Sequence, residues 1–153
     1  MQHTNFKEKL VIASMFTAFF LTVFAFTARA GGDTYRIYLN DKLVLKEFVI
    51  HPISLKNLPI NKARADDKVI IYYSHCGTIG KGRSIAIKDA KGNTLKEWKF
   101  ANAAGADKGM TIPVRELLQL EKNNSNLTLY YAADELPKGL MLASFNVGGK
   151  STI

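Results

Sequence analysis

The sequence has 153 residues, with 21 Lys and Arg against 13 Asp and Glu and a formal net charge of +8. Hydrophobic residues make up 47% of the chain, which is too many for an intrinsically disordered protein. The single cysteine excludes a small domain held together by disulfides, and the length excludes a multidomain enzyme. One domain of this size buries enough apolar surface to fold without a metal or a disulfide.

The N-terminal 30 residues have the three parts of a secretory signal peptide. A start with two lysines precedes an uncharged apolar run over residues 10–28, and the Ala-Arg-Ala sequence at 28–30 fits an A-x-A cleavage site. We therefore expect cleavage after Ala30 and export to the periplasm or the cell exterior. The alternative is an uncleaved membrane anchor, because the uncharged run approaches the roughly 20 residues that span a bilayer. The mature domain, residues 31–153, is not expected to insert into a membrane.

From residue 31 onward, short runs of alternating apolar and polar residues are separated by turn residues every ~8–12 positions. This spacing predicts seven strands, over residues 35–39, 43–49, 68–75, 84–88, 94–100, 127–132 and 140–147. Strands do not alternate with helices, which disfavours a parallel sheet. The sequence therefore predicts an all-β fold: an antiparallel β-sandwich of about seven strands in a single domain over residues 31–153.

Two stretches interrupt this rhythm. Residues 51–65 contain two prolines and are expected to form a crossover or an edge segment. Residues 113–118 begin with proline and are expected to form one short helical turn. Trp98 and Phe100 share a strand face and are predicted to anchor the core, with a β-bulge near Leu95 where the alternation slips.

His75 and Cys76 are the first candidates for chemistry. A thiolate beside an imidazole is a common activated nucleophile, and both side chains are also metal ligands. Adjacent residues of a strand point to opposite faces, however, so these two side chains would not meet on a continuous strand. The favoured interpretation is a buried structural cysteine. A reactive thiol or a metal site at His75 and Cys76 is the alternative, and convergence with His51, the other histidine of the mature region, stays open.

Residues 77–84, GTIGKGRS, contain three glycines and two cations. Their spacing is not that of a Walker A motif, and no helix follows. Glycines between two strands usually supply positive φ, which predicts a hairpin loop here. We expect Lys81 and Arg83 on this loop, together with Lys138, to contact an anionic partner.

The six tyrosines occur as three pairs on predicted strands. In an adjacent pair one ring faces the core and the other faces solvent. Outward rings on a sheet are suited to binding a sugar or a peptide, and we assign Tyr73 and Tyr131 to such a face.

The sequence contains no G-x-S-x-G, H-E-x-x-H or S-x-x-K motif, so it indicates no enzyme class, and no cofactor is expected. Basic loops without interleaved aromatic residues disfavour nucleic acid, whereas the positive charge favours an anionic envelope polymer. We therefore predict an exported, non-catalytic domain that binds an envelope or extracellular partner, whether protein, glycan or anionic polymer, through loops and a sheet face. The alternatives are a thiol- or metal-dependent activity at Cys76 and His75, and a structural subunit that pairs through a sheet edge.

Overall fold

The structure is a computed structural model, and it describes residues 32–49, 56–58, 60, 62–103, 108–124 and 126–145. The predicted signal peptide and His51 lie outside these residues. In chain order the elements are β1 (Thr34–Leu39), β2 (Lys42–Phe48), β3 (Lys68–Ser74), β4 (Ser84–Lys88), β5 (Thr94–Lys99), β6 (Met110–Pro113), α1 (Val114–Glu121), β7 (Leu127–Ala133) and β8 (Leu136–Phe145).

The strands form two antiparallel four-stranded sheets. The first sheet has the order β2-β1-β3-β6, and the second has the order β5-β4-β7-β8. The predicted antiparallel β-sandwich is therefore confirmed. Hairpins join β1 to β2, β4 to β5 and β7 to β8 at turns that the sequence predicts.

The core lies between the sheets because every second residue of a strand points to the same side. In β3, for example, Val69 and Ile71 are completely buried, whereas the residues beside them are partly or largely exposed. Ile85 and Ile87 on β4 are also completely buried, and they face the core from the second sheet.

The described residues contain eight strands rather than about seven. The additional strand is β6, which pairs with β3 at the edge of the first sheet. Four residues are too few to show an alternating pattern, so only this tertiary pairing defines the strand. α1 then runs to Glu121, beyond the predicted turn at 113–118, because Leu117 is buried and Leu118 and Leu120 also pack against the core.

The β-bulge predicted near Leu95 is present. Ile87 pairs with Lys96 and Lys88 pairs with Thr94, which leaves Leu95 as the extra residue of β5. Trp98 and Phe100 are only half-buried against the core rather than within it. They lie on and just after β5, which is an edge strand of the second sheet.

Residues 77–84 do not form the predicted hairpin loop. β3 belongs to the first sheet and β4 to the second, so this segment crosses from one sheet to the other. Gly77 and Gly82 have positive φ angles of 75° and 55°, as the glycine content predicts.

β2 is an edge strand of the first sheet, and Leu43 and Phe48 at its two ends are 46% and 61% exposed. That the protein pairs with another chain through such a sheet edge remains a prediction. In the part of the chain described here, no helix is long and apolar enough to cross a membrane.

Candidate functional site

Tyr73 and Tyr131, assigned from the sequence to an outer face, point instead into the space between the sheets. They are 5% and 0% exposed, and their rings stack with centroids 4.1 Å apart. The expected orientation is wrong because each ring shares a face with buried apolar residues of its own strand. Tyr73 follows Ile71 at a spacing of two residues, and Tyr131 follows Leu129 in the same way. The other tyrosine of each adjacent pair faces outward.

His75 lies in a polar cluster at the end of these stacked rings. Its Nε2 is 2.9 Å from the Tyr131 hydroxyl oxygen, and its Nδ1 is 3.3 Å from Oδ2 of Asp33. The Asp33 carboxylate also accepts hydrogen bonds from the Tyr73 hydroxyl at 2.8 Å and from the Cys76 backbone N–H at 3.0 Å. Both ring nitrogens of His75 are thus occupied, and the cluster joins the first sheet to the second.

His75 and Cys76 lie in different environments, as strand alternation predicts: the histidine is buried and the cysteine is exposed. The expectation of a buried cysteine is wrong because the in–out alternation continues past Ser74: Tyr73 and His75 are buried, whereas Ser74 and Cys76 are exposed. This arrangement does not favour a Cys–His nucleophile. Among the described residues, no group of three or more His, Cys, Asp or Glu side chains is placed to hold a metal ion.

We expect the thiol of Cys76 to react with a thiol-specific reagent in the folded protein at a rate close to that of the unfolded chain, because it is exposed. Spectrophotometric labelling with and without denaturant measures both rates. The Cys76→Ser variant should show no labelling and an unchanged thermal midpoint. Labelling that occurs only after unfolding would contradict the exposed position.

Arg83 is buried, contrary to the expectation that it contacts a partner. It is 3% exposed, and its Nε and Nη2 donate to the Ala101 carbonyl at 2.9 and 2.7 Å. Its Nη1 donates to the Lys108 carbonyl at 2.8 Å. The guanidinium therefore ties the start of β4 to the chain between β5 and β6, and it is not presented to solvent.

Lys81 and Lys138 are exposed, and a carboxylate accompanies Lys81. The Lys81 backbone N–H donates to Glu135 Oε2 at 3.0 Å, and this hydrogen bond lowers the pKa of the Glu135 carboxyl below its usual value. Asp134 donates its own backbone N–H to the Lys81 carbonyl. The charge of Lys81 is thus offset by the Glu135 carboxylate, which weakens the case for an anionic partner at this residue. Binding through Lys81 and Lys138 stays a prediction.

The outer side of the first sheet contains an open groove of about 460 Å³. We call it the outer-face groove; it is lined by Arg36, Tyr38, Asn40, Asp41, Ile70 and Tyr72. β1 and β3 supply its floor, and the turn between β1 and β2 closes one end.

Two tyrosine rings dominate the outer-face groove. Tyr38 and Tyr72 pack edge to face, with centroids 5.6 Å apart and an interplanar angle of 77°. The Cζ atom of Arg36 lies 5.3 Å from the centroid of the Tyr72 ring. Within the described part of the chain, neither tyrosine hydroxyl donates or accepts a hydrogen bond, and neither does the exposed Asp41 carboxylate. These three polar groups are available to a ligand.

The turn that closes the groove is held by Asn40. Its side chain donates to Asp67 Oδ1 at 2.9 Å and accepts from the Lys68 backbone N–H at 2.9 Å. Asn40 has a φ of 53°, a conformation that asparagine tolerates better than most residues. The Arg64 backbone N–H and the Asn40 amide lower the pKa of Asp67, which keeps this acceptor ionised. The end of the groove is therefore rigidly placed.

Sequence reasoning missed this site because its residues come from separate strands. Arg36 and Tyr38 share an outer face at a spacing of two residues, and that is the signal available from the sequence. Gly109 also shapes the groove, but nothing in the sequence around it indicates this role. A Cβ atom there would lie 2.6 Å from Ile70 Cγ2 and 3.0 Å from Tyr72 Cζ, so the glycine allows these two side chains to lie across the neighbouring chain.

No family model matches the chain, and no curated protein or solved structure matches it either.

Proposed function

We propose that the protein is an exported, non-catalytic domain that binds a glycan in the outer-face groove. The observation that carries this proposal is the pair of outward tyrosines, Tyr38 and Tyr72, with unpaired hydroxyls in an open groove bordered by Arg36 and Asp41. The N-terminal signal-like segment supports export, and it places the domain where extracellular polysaccharides occur.

The chemistry of the groove suits a sugar. The C–H face of a pyranose ring packs against an aromatic ring, and tyrosine offers such a surface with little conformational entropy to lose. Sugar hydroxyls are both donors and acceptors, so they match the Tyr38 and Tyr72 hydroxyls and the acceptors of Asp41.

The size of the groove favours a short stretch of saccharide over a protein surface. Its volume of about 460 Å³ falls within the roughly 300–1,000 Å³ of small-ligand sites. A stable protein interface instead buries about 800 Å² on each partner. The groove is also open to solvent along the outer face, so a saccharide can enter it from that side.

The test is binding of the mature domain to a panel of soluble polysaccharides, measured by affinity electrophoresis and by isothermal titration calorimetry. We expect Tyr72→Ala to weaken binding ~5-fold, because a stacking ring of this kind contributes about 1 kcal/mol. Tyr130→Ala is the matched control, since Tyr130 is an outward tyrosine on the second sheet with Lys88 Nζ 4.4 Å from its ring centroid.

Equal affinity of the Tyr72→Ala variant and the wild type would contradict the proposed site. Equal losses in both tyrosine variants would indicate nonspecific adhesion to aromatic surface. If no polysaccharide in the panel binds, the glycan proposal fails and a protein partner takes its place.

A further inference from the structure

We infer that the free edge of β2 binds an extended segment of another protein, and that this segment carries an acidic residue between two apolar ones. The segment adds a strand to the first sheet, so that main-chain hydrogen bonds supply affinity and side chains supply selectivity. This second binding site goes beyond the proposed function, because it does not depend on the outer-face groove or on a glycan.

The backbone groups of Lys46 and Phe48 point away from the rest of the sheet. The Val49 N–H donates to the Asp33 carbonyl at 2.8 Å, which makes these two residues a hydrogen-bonded pair. In an antiparallel ladder, hydrogen-bonded pairs alternate with pairs that are not hydrogen-bonded. Counting back along the register, Glu47 is again bonded to β1, whereas Phe48 and Lys46 are not. Their N–H and C=O groups therefore lie at the outer edge of β2.

No strand of the described residues covers this edge, since β2 is the last strand in the order β2-β1-β3-β6. The other edges differ. Beside β8, the Leu58 N–H donates to the Ser144 carbonyl at 2.7 Å, and the Ser144 N–H donates to the Lys56 carbonyl at 3.0 Å. β6 has only four residues and leads directly into α1. β5 carries no exposed large apolar side chain, so β2 is the edge best suited to a further strand.

The outer-face side chains of β2 form an apolar, basic, apolar sequence. In register, Lys46 lies opposite Arg36, and Arg36 lies opposite Tyr72, so the three residues share one row on the outer face. Phe48 shares that face at a spacing of two residues, and Leu43 pairs with another residue that lines the groove. All three of these β2 side chains are exposed. An added strand would place its own side chains beside them.

The charges favour an acidic strand. A carboxylate directly opposite Lys46 makes a favourable cross-strand pair, and apolar residues two positions to either side pack against Phe48 and Leu43. Glu47 does not compete for Lys46, because it points to the opposite face, where it pairs with the buried Tyr35.

A second copy of the chain is a poorer occupant of this edge. The formal net charge of the chain is +8, and lysines on an edge strand oppose pairing between identical edges. The seven residues of β2 are also fewer than the roughly 20–30 that each side of a standard protein interface uses. The edge therefore suits a short extended segment better than a folded partner.

The probe is the synthetic peptide Thr-Val-Thr-Glu-Thr-Val-Thr, blocked at both ends, whose glutamate lies opposite Lys46 when a valine lies opposite Phe48. The control peptide has lysine in place of the glutamate. Amide exchange in the isotope-labelled mature protein, followed by NMR, should be rapid at Lys46 and Phe48 and slow at Glu47. The acidic peptide should protect Lys46 and Phe48, and it should bind ~5-fold more tightly than the lysine peptide.

Backbone variants test strand pairing separately from charge. N-methylation of the peptide glutamate should abolish binding, whereas N-methylation of the threonine after it, whose N–H faces away from β2, should leave binding unchanged. Lys46→Ala should weaken binding of the acidic peptide ~5-fold, while Lys99→Ala, at the edge of the second sheet, should not change it. Lys46→Pro should abolish binding because it also removes the outward N–H, and an edge strand tolerates proline at such a position.

Equal affinity of the acidic and lysine peptides, including binding of neither, overturns the inference. Losses of the same size from Lys46→Ala and Lys99→Ala overturn it too, because the attraction would then be a general effect of charge. Protection of Lys46 and Phe48 that rises with protein concentration without peptide would place a second copy at the edge instead. Circular dichroism shows whether each variant is folded, and the N-methylated peptides give the same backbone test on the wild-type protein.

Discussion

Replacing Arg83 with glutamate should lower the free energy of unfolding by at least about 4 kcal/mol, which is most of the stability of a small domain. The guanidinium is almost completely buried and donates to the carbonyls of Ala101 and Lys108. A carboxylate in its place would be buried against two acceptors, with no donor for its charge.

Lys81→Glu is the matched control, because it makes the same change in charge two residues earlier in the same crossover. Its side chain is exposed, so we expect a loss of about 1 kcal/mol or less. Urea unfolding followed by circular dichroism measures both variants. Similar stabilities of the two variants would show that Arg83 does not tie the crossover to the chain between β5 and β6. That result would instead support the prediction from the sequence that Lys81 and Arg83 both contact a partner.

The second large effect is a loss of stability at alkaline pH. Burial raises the phenol pKa of Tyr35 and of Tyr131 to about 12 in the folded protein, from an ordinary value of 10.0. Burial and the hydrogen bond to Asp33 raise the pKa of Tyr73 further still. The folded state thus holds three protons that the unfolded chain releases above pH 10.

The direction in which stability changes with pH follows from this difference in bound protons. Each raised pKa contributes stability that is complete below pH 10 and is lost as the pH rises toward 12. With three tyrosines the free energy of unfolding should fall by about 4 kcal/mol per pH unit, since each proton contributes about 1.4. Denaturant midpoints at a series of pH values, with tyrosinate absorbance recorded in parallel, give this slope.

Tyr35→Phe removes one of the three protons and should reduce the slope by about a third. The comparison uses the slope and not the absolute stability, because the variant also loses the hydrogen bond from the Tyr35 hydroxyl to the Leu142 carbonyl. A midpoint that is constant between pH 10 and 12 would mean that the phenols titrate without unfolding the sandwich.

The limits of the sequence are clearest at the adjacent tyrosines. Alternation requires that one ring of Tyr72 and Tyr73 faces inward. The face of Tyr72 also carries the polar residues Lys68 and Ser74, whereas the other residues on the face of Tyr73 are apolar, which identifies Tyr73 as the inward ring. The sequence alone therefore suffices to place the Tyr73 ring inside. The burial of Arg83 cannot be predicted in this way, because its carbonyl acceptors lie 18 and 25 residues away in the chain.

The amino-acid sequence by itself determined every strand except β6, the three hairpin turns, the bulge at Leu95 and the antiparallel sandwich, because these depend on periodicity and on local backbone preferences. The tertiary structure alone decided that residues 77–84 cross between the sheets, that β6 exists, and that Arg36, Lys46 and Tyr72 share one row. The physical reason is register. Which residues of distant strands lie opposite one another depends on how all the strands pack together, and no local pattern encodes it.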